Sequence, residues 1–204
     1  MKKVIYNNSY ITPTKIVCIG RNYVEHIREL GNEIPSSMVI FNKPNSAISN
    51  ELFYHQADTR FEGEISFLIK NKSIVGVGFG LDLTHAKLQN NLKEKGLPWE
   101  RAKAFDGSAI FSEFVPFYGD ITKLSMKLYI NNRLAQFGDY ELMIYKPQTI
   151  IEEIEKFMSL EDGDIIMSGT PKGVGNYNIG DKFRGEIFHN KKLLIFAEWI
   201  VKDR

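Results

Sequence analysis

The sequence predicts a β-rich α+β fold, and three observations carry that prediction. Short apolar runs bounded by Gly, Asn or Pro recur along the chain, as in KIVCIG (15–20) and SMVIFNKP (37–44). Helical periodicity extends beyond a turn or two in only two segments, 84–95 and 147–158. Strands and helices do not alternate regularly, which argues against a doubly wound parallel sheet. A length of 204 residues suits a single domain over residues 1–204, built around one core.

Taken in order, KIVCIG is a continuous apolar run ending at Gly20, the pattern of a buried strand that delivers a loop. Residues 21–32 are polar and glycine-bounded, and predict a short helix or a mobile lid. SMVIFNKP reads as a strand stopped at Pro44. Residues 63–83 read as two strands joined by a polar turn near Asn71–Ser73. The helical stretch THAKLQNNLKEK is closed by Gly96 and Pro98. SMKLYINNRLAQFG (125–138) predicts a hairpin turning at Asn131 and Asn132, residue types that accept positive φ. PQTIIEEIEKFM (147–158) begins on Pro147 and puts Ile150, Ile151, Ile154, Phe157 and Met158 on one helical face. GDIIMSGTP, GDKFRGEIF and KLLIFAEWIV complete the chain as strands and turns.

Composition narrows the function. A net charge of +1, with 43% apolar and 25% charged residues, gives no electrostatic case for nucleic acid or an anionic membrane. Cys18 is the only cysteine, which excludes an intrachain disulfide and a thiolate metal cluster and fits a reducing compartment. MKKVIYNNSY lacks the apolar segment of a signal peptide, and no window approaches 18 uninterrupted apolar residues. The expectation is a soluble cytoplasmic protein.

The chemistry begins in RFEGEISFLIK (60–70). Glu62 and Glu64 are two apart, so in an extended chain both side chains point to one face. Asp82 follows the next strand, and a hairpin folding near residue 72 sets residue 82 opposite residue 62. Three convergent carboxylates make a hard oxygen site suited to Mg²⁺, Mn²⁺ or Ca²⁺. A cation there turns their mutual repulsion into coordination. Spacing alone favours a solvated strand edge with Asp82 capping the helix, the commoner arrangement. His26 and Glu29, three apart in GRNYVEHIRELG, are neighbours if helical and would form an oriented general base; an exposed charged turn is the plainer alternative. GVGFG (76–80) lacks the spacing of a dinucleotide fingerprint, and GTPKGVG (169–175) is no Walker sequence, although it predicts a tight loop after a strand.

Together GRNYVEHIREL, FEGEISFLI, GLDLT, GLPWERAKAFDGSAIFSEFVP and LEDGDIIMSGTPKGVG resemble the fumarylacetoacetate hydrolase superfamily, from about Lys15 to the end. The closest likeness is to its short members of the acylpyruvate hydrolase and oxaloacetate decarboxylase type. The resemblance implies a mixed β-roll with a few short helices, a homodimer, and Mg²⁺ or Mn²⁺ held by Glu62, Glu64 and Asp82. It implies a His26–Glu29 dyad in a mobile lid. It also assigns Lys103 to catalysis and Arg21, Asn22, Tyr23, Gln89 and Thr170 to the substrate, a small 2-oxo acid. The leading reaction it implies is hydrolysis of a C–C bond in an acylpyruvate such as fumarylpyruvate, through a pyruvate enolate on the metal. In that scheme His26 activates water, and Lys103 with Gln89 stabilises the oxyanion. Oxaloacetate decarboxylation, tautomerisation and 2-hydroxy-dienedioate isomerisation are alternatives on the same site. A non-catalytic metal- or ligand-binding homologue is the alternative of another class. One departure stands out: the family pattern D-x-[ST]-x-R-D-x-Q reads DLTHAKLQ here, with Ala86 for the arginine and Lys87 for the acid. This removes a bidentate carboxylate fork, for which His85 or Lys87 is the nearest replacement.

Overall fold

The computed structural model describes residues 1–204 and is β-rich, with four short α-helices. An eight-stranded mixed sheet forms the frame. Across it run β4 (Val39–Pro44), β3 (Lys15–Gly20), β14 (Ile165–Met167), β7 (Gly63–Lys70), β8 (Ser73–Asp82), β10 (Ala109–Phe111) and β5 (Ile48–Ser49), with β11 (Val115–Pro116) also on β8. The β14–β3 and β10–β5 pairs are parallel and the rest antiparallel. A four-stranded antiparallel sheet, β13 (Arg133–Asp139), β12 (Leu124–Ile130), β16 (Lys182–His189) and β17 (Lys192–Ile200), packs over one face. A small sheet joins β15 (Gly175–Asn176), β6 (Thr59–Phe61) and β9 (Thr84–His85), and the hairpin β1 (Val4–Tyr6) and β2 (Ser9–Ile11) closes the roll.

Strand β7 shows why the solvated-edge arrangement fails. Ile65, Phe67 and Ile69 enter the core between the two large sheets, where Phe79, Met126, Phe183 and Trp199 also pack. Alternation sends Leu68 to a second cluster on the opposite face, with Ile16, Cys18, Phe114 and Met167. Both faces are therefore dry, and Glu62, Glu64 and Asp82 are only 5%, 2% and 1% exposed. Glu64 and Ser66 share the face of Leu68, so the carboxylates form the polar end of the second cluster.

The β7–β8 hairpin turns at Asn71 and Lys72, both at positive φ, as a two-residue loop requires. Near the turn Ile69 pairs with Ile74, but beyond a bulge Leu68 pairs with Gly76. That one-residue shift brings the Asp82 N–H to the Glu62 carbonyl at 2.8 Å. Without the bulge Asp82 would be one residue out of register and would point to the other face. The hairpin at Asn131 and Asn132 forms as predicted, and Asn7–Asn8 and Asn190–Lys191 make two more turns of the same kind.

The helices are α1 (Val24–Glu29), α2 (Ala86–Glu94), α3 (Glu100–Lys103) and α4 (Pro147–Glu155). Helix α2 starts two residues later than its periodicity suggests, because Thr84 and His85 pair with β6. In α4, Ile150, Ile151 and Ile154 are buried as expected, but the helix stops at Glu155 and leaves Phe157 65% exposed. No helix is long and apolar enough to cross a membrane.

Candidate active site

Glu62, Glu64 and Asp82 each offer a carboxylate oxygen, all within 4.8 Å of one another. Gly63 between the glutamates is required by packing: a Cβ there would lie 3.0 Å from Gln136 Oε1 and Phe79 Cζ and 3.1 Å from Met126 Cε. All three of these close neighbours are side chains. Gln136 accepts from the Gly63 N–H at 2.8 Å and donates to Thr170 Oγ1 and the Pro171 carbonyl at 2.8 Å each.

Two buried lysines enter the carboxylate cluster. Lys103 donates to Glu62 Oε2 at 2.8 Å, Asp82 Oδ2 at 2.7 Å and Thr84 Oγ1 at 2.6 Å. All three of its protons are thus taken, and it stands as counter-ion to the triad, not as a free oxyanion donor. Burial pulls its pKa down, but Asp82 and Glu62 outweigh that and the net shift is upward. Lys43, fully buried on β4, places Nζ 2.8 Å from Asp82 Oδ1 and hydrogen-bonds the Lys103 carbonyl. Its approach to Oδ1 is an ion pair without hydrogen-bond geometry, so that oxygen accepts no hydrogen bond. Arg60 clamps Glu62 Oε1 through Nε at 2.8 Å and Nη2 at 2.6 Å, and Nη2 also reaches Gln89 Oε1 at 3.3 Å.

These neighbours split the two glutamates. Burial disfavours the charged form of both, yet Lys103 and Arg60 hold Glu62 far below the usual carboxylate range. Glu64 has only the Gly169 N–H, at 2.6 Å, and burial with the charges of Asp82 and Glu62 pushes its pKa well up. An all-oxygen donor set, with a Glu64 carboxylate that no cation pairs and whose pKa burial and its acidic neighbours raise, fits a hard divalent cation.

Beside the triad, α1 carries the dyad. His26 Nδ1 lies 3.3 Å from Glu29 Oε2, and the Glu29 carboxylate accepts the Gly173 N–H at 3.0 and 3.2 Å. His26 is buried, which lowers its pKa; Glu62 and Glu29 oppose that shift only in part. Ile27 packs fully buried, so in this structure the predicted lid segment is a docked helix. The loop after β14 serves both clusters: the Gly169 N–H holds Glu64 and the Gly173 N–H holds Glu29.

Other expected substrate residues divide. Gln89 touches the site through Arg60 Nη2, and Arg21 Nη2 reaches Asn32 Oδ1 at 3.4 Å. Asn22 is fully buried, donating to the Tyr145 and Ser168 carbonyls and accepting from the Tyr145 N–H, so it anchors the loop and has no surface for a substrate. Thr170 is likewise committed, donating to the Gly63 carbonyl at 2.9 Å. Tyr23 is buried with an unpartnered hydroxyl, and burial raises its pKa. Neither His85 nor Lys87 replaces the arginine missing at Ala86. His85 stacks on Phe105 with centroids 3.9 Å apart, and Lys87 is exposed. A guanidinium reaches the site instead from Arg60, which alternation along RFEGE sets on the face of Glu62 and Glu64. Sequence reading passed over Arg60 although that alternation marks it. It also passed over Lys43, whose signal is a lone cation inside the apolar run VIFNKP.

A mixed β-roll ending in a buried carboxylate triad that could hold a metal ion, with a histidine–carboxylate pair on the neighbouring helix, is an enzyme-like arrangement. The family model described as fumarylacetoacetate (FAA) hydrolase C-terminal matches residues 15–197, and the chain belongs to that family. Among its relatives is the oxaloacetate tautomerase YcgM of Escherichia coli, 36% identical over 188 residues, which cover 83% of this chain and 86% of that protein. The human mitochondrial oxaloacetate tautomerase FAHD1 is 35% identical over 190 residues, covering 84% and 86%. Fumarylpyruvate hydrolase from Pseudomonas aeruginosa, whose crystal structure is a complex with Mn²⁺ and pyruvate, superposes with a TM-score of 0.90 at 26% identity, covering 100% of this chain and 96% of that one.

Proposed function

We propose that this protein is a metal-dependent tautomerase interconverting the keto and enol forms of an oxaloacetate-type 2-oxo acid. The observation that carries the reading is a buried triad of Glu62, Glu64 and Asp82 beside a His26–Glu29 dyad whose imidazole burial keeps neutral. The names of the relatives at 35–36% identity point to the same reaction.

Glu62, Glu64 and Asp82 would hold Mg²⁺ or Mn²⁺, which as a Lewis acid acidifies the C3–H of a substrate bound through its 1-carboxylate and 2-oxo oxygens. Neutral His26 is the base that breaks the C3–H bond and returns the proton to the 2-oxygen, so the product is an isomer of unchanged mass. Glu29 fixes the imidazole by engaging Nδ1, which leaves Nε2 as the working nitrogen. Lys103, its three protons held by Glu62, Asp82 and Thr84, balances the charge of the triad beside the reacting group.

Hydrolysis of an acylpyruvate, first by the sequence resemblance, is the second reading and is favoured by the Pseudomonas neighbour. There the dyad deprotonates water instead of C3. With Mn²⁺ or Mg²⁺ supplied, three products separate the reactions: an isomer, pyruvate plus an acid, or pyruvate plus CO₂. We expect enol interconversion of oxaloacetate well above the rate with metal alone, and a His26→Gln loss of roughly 10²–10⁴ with metal affinity retained. No catalysis beyond metal alone, despite metal binding, would leave a binding protein and overturn the proposal.

A further inference from the structure

On the rim between α1 and α2, three cations converge with fewer anions than they need. Lys93 and Gln89 sit one turn apart on the same face of α2. Lys93 Nζ donates to Asn32 Oδ1 at 3.0 Å, and Arg21 Nη2 reaches the same oxygen at 3.4 Å. Neither pairs with a carboxylate. Two positive groups thus share one neutral oxygen, an arrangement that costs Coulomb repulsion and places two donors as a carboxylate oxygen would be held. Arg60 Nη2 reaches Gln89 Oε1 at 3.3 Å, one turn of α2 from Lys93; burial and the charges of Arg21 and Arg60 lower the pKa of Lys93, and Glu62 opposes them.

Arg21 is also the one non-glycine residue at positive φ (57°) outside a two-residue hairpin turn, so the chain is bent unfavourably where it delivers this side chain. Arg60 is buried and fixed through Nε and Nη2, while its Nη1 makes no protein hydrogen bond. Arg60 is paired with Glu62, whereas Arg21 and Lys93 have no carboxylate partner.

We infer that Arg21, Arg60 and Lys93 form a subsite for the remote carboxylate of a dicarboxylic 2-oxo acid, with Asn32 Oδ1 occupying the place of a substrate oxygen. The inference rests on the proposed 2-oxo acid chemistry and adds the group that selects among such acids. A monocarboxylic 2-oxo acid leaves this charge unmatched.

The test compares oxaloacetate with 2-oxobutanoate, which has a methyl group in place of the remote carboxylate, by calorimetric titration of the Mn²⁺-loaded protein. The wild type should bind oxaloacetate at least about tenfold more tightly, the scale of a charge-assisted hydrogen bond. In Arg21→Gln and in Lys93→Gln that ratio should fall toward one, with 2-oxobutanoate affinity held within about threefold. Arg60→Gln should act likewise, with Mn²⁺ affinity measured separately because Arg60 touches Glu62. Equal wild-type affinities, or a ratio unmoved by both Arg21→Gln and Lys93→Gln, overturn the subsite and leave the 2-oxo acid reading standing. Binding of neither acid overturns that reading and the subsite with it.

Discussion

Glu64 offers a test of the metal site that needs no substrate. Its carboxyl is driven toward the neutral form by burial and by Asp82 and Glu62, with carboxylate oxygens within 4.8 Å. At an effective dielectric of about 20, each such pair of charges repels by about 3 kcal/mol. A divalent cation requires the ionised carboxylate, so binding must release the Glu64 proton. The sign follows from linkage: below the folded pKa of Glu64, Mn²⁺ affinity should rise about tenfold per pH unit, or about 1.4 kcal/mol. A carboxyl whose folded pKa is raised stabilises the ion-free fold below its unfolded value of 4.5, and that contribution is lost as pH rises through the folded pKa. Mn²⁺ at a hundred times its Kd adds about 2.7 kcal/mol, or about 5–10 °C in Tm for a chain of this size. The assay is Mn²⁺ calorimetry in two buffers of different ionisation enthalpy, with parallel melting curves. Glu64→Gln should abolish proton release and the pH slope, cost about 3 kcal/mol of metal affinity, and melt higher than the wild type when ion-free at high pH. A wild-type Mn²⁺ affinity that does not change with pH, with no proton release in either buffer, would refute the reasoning.

Two further predictions concern the dyad. Burial lowers the His26 pKa, so the acid limb of the pH–rate profile should fall below the ordinary histidine value of 6.5, with activity lost as pH drops through it; a limb above that value would contradict the assignment. Gly173 has φ +98°, and a Cβ there would lie 2.0 Å from the Ala135 carbonyl oxygen. Gly173→Ala should therefore cost about 2 kcal/mol or more, lower Tm by several degrees, and reduce turnover by loosening Glu29; an unchanged melting curve would show that the loop yields freely.

Much of the site was legible because strand geometry is local. Period-two alternation puts Glu62 and Glu64 on one face, and helical spacing brings His26 to Glu29. The turns at Asn71 and at Asn131–Asn132 likewise announced themselves, since few other residues accept positive φ, while those at Asn7–Asn8 and Asn190–Lys191 were passed over. Ala86 and Lys87 could be seen to lack an anion fork, but not what takes its place.

What the sequence by itself determined is the β-rich class and which carboxylates and histidine share a face; it left a solvated edge and a charged turn open as alternatives to the site. The tertiary structure alone decided the register, because a bulge at Leu68–Ile69 aligns Asp82 with Glu62 and no composition marks that shift. It alone decided that the carboxylates are dry, since burial on both faces of β7 depends on sheets contributed by distant segments. Electrostatics was the least local property of all. Lys43, Arg60 and Lys103 come from three elements, and their approach makes Glu62 a committed anion and leaves Glu64 without an ion pair.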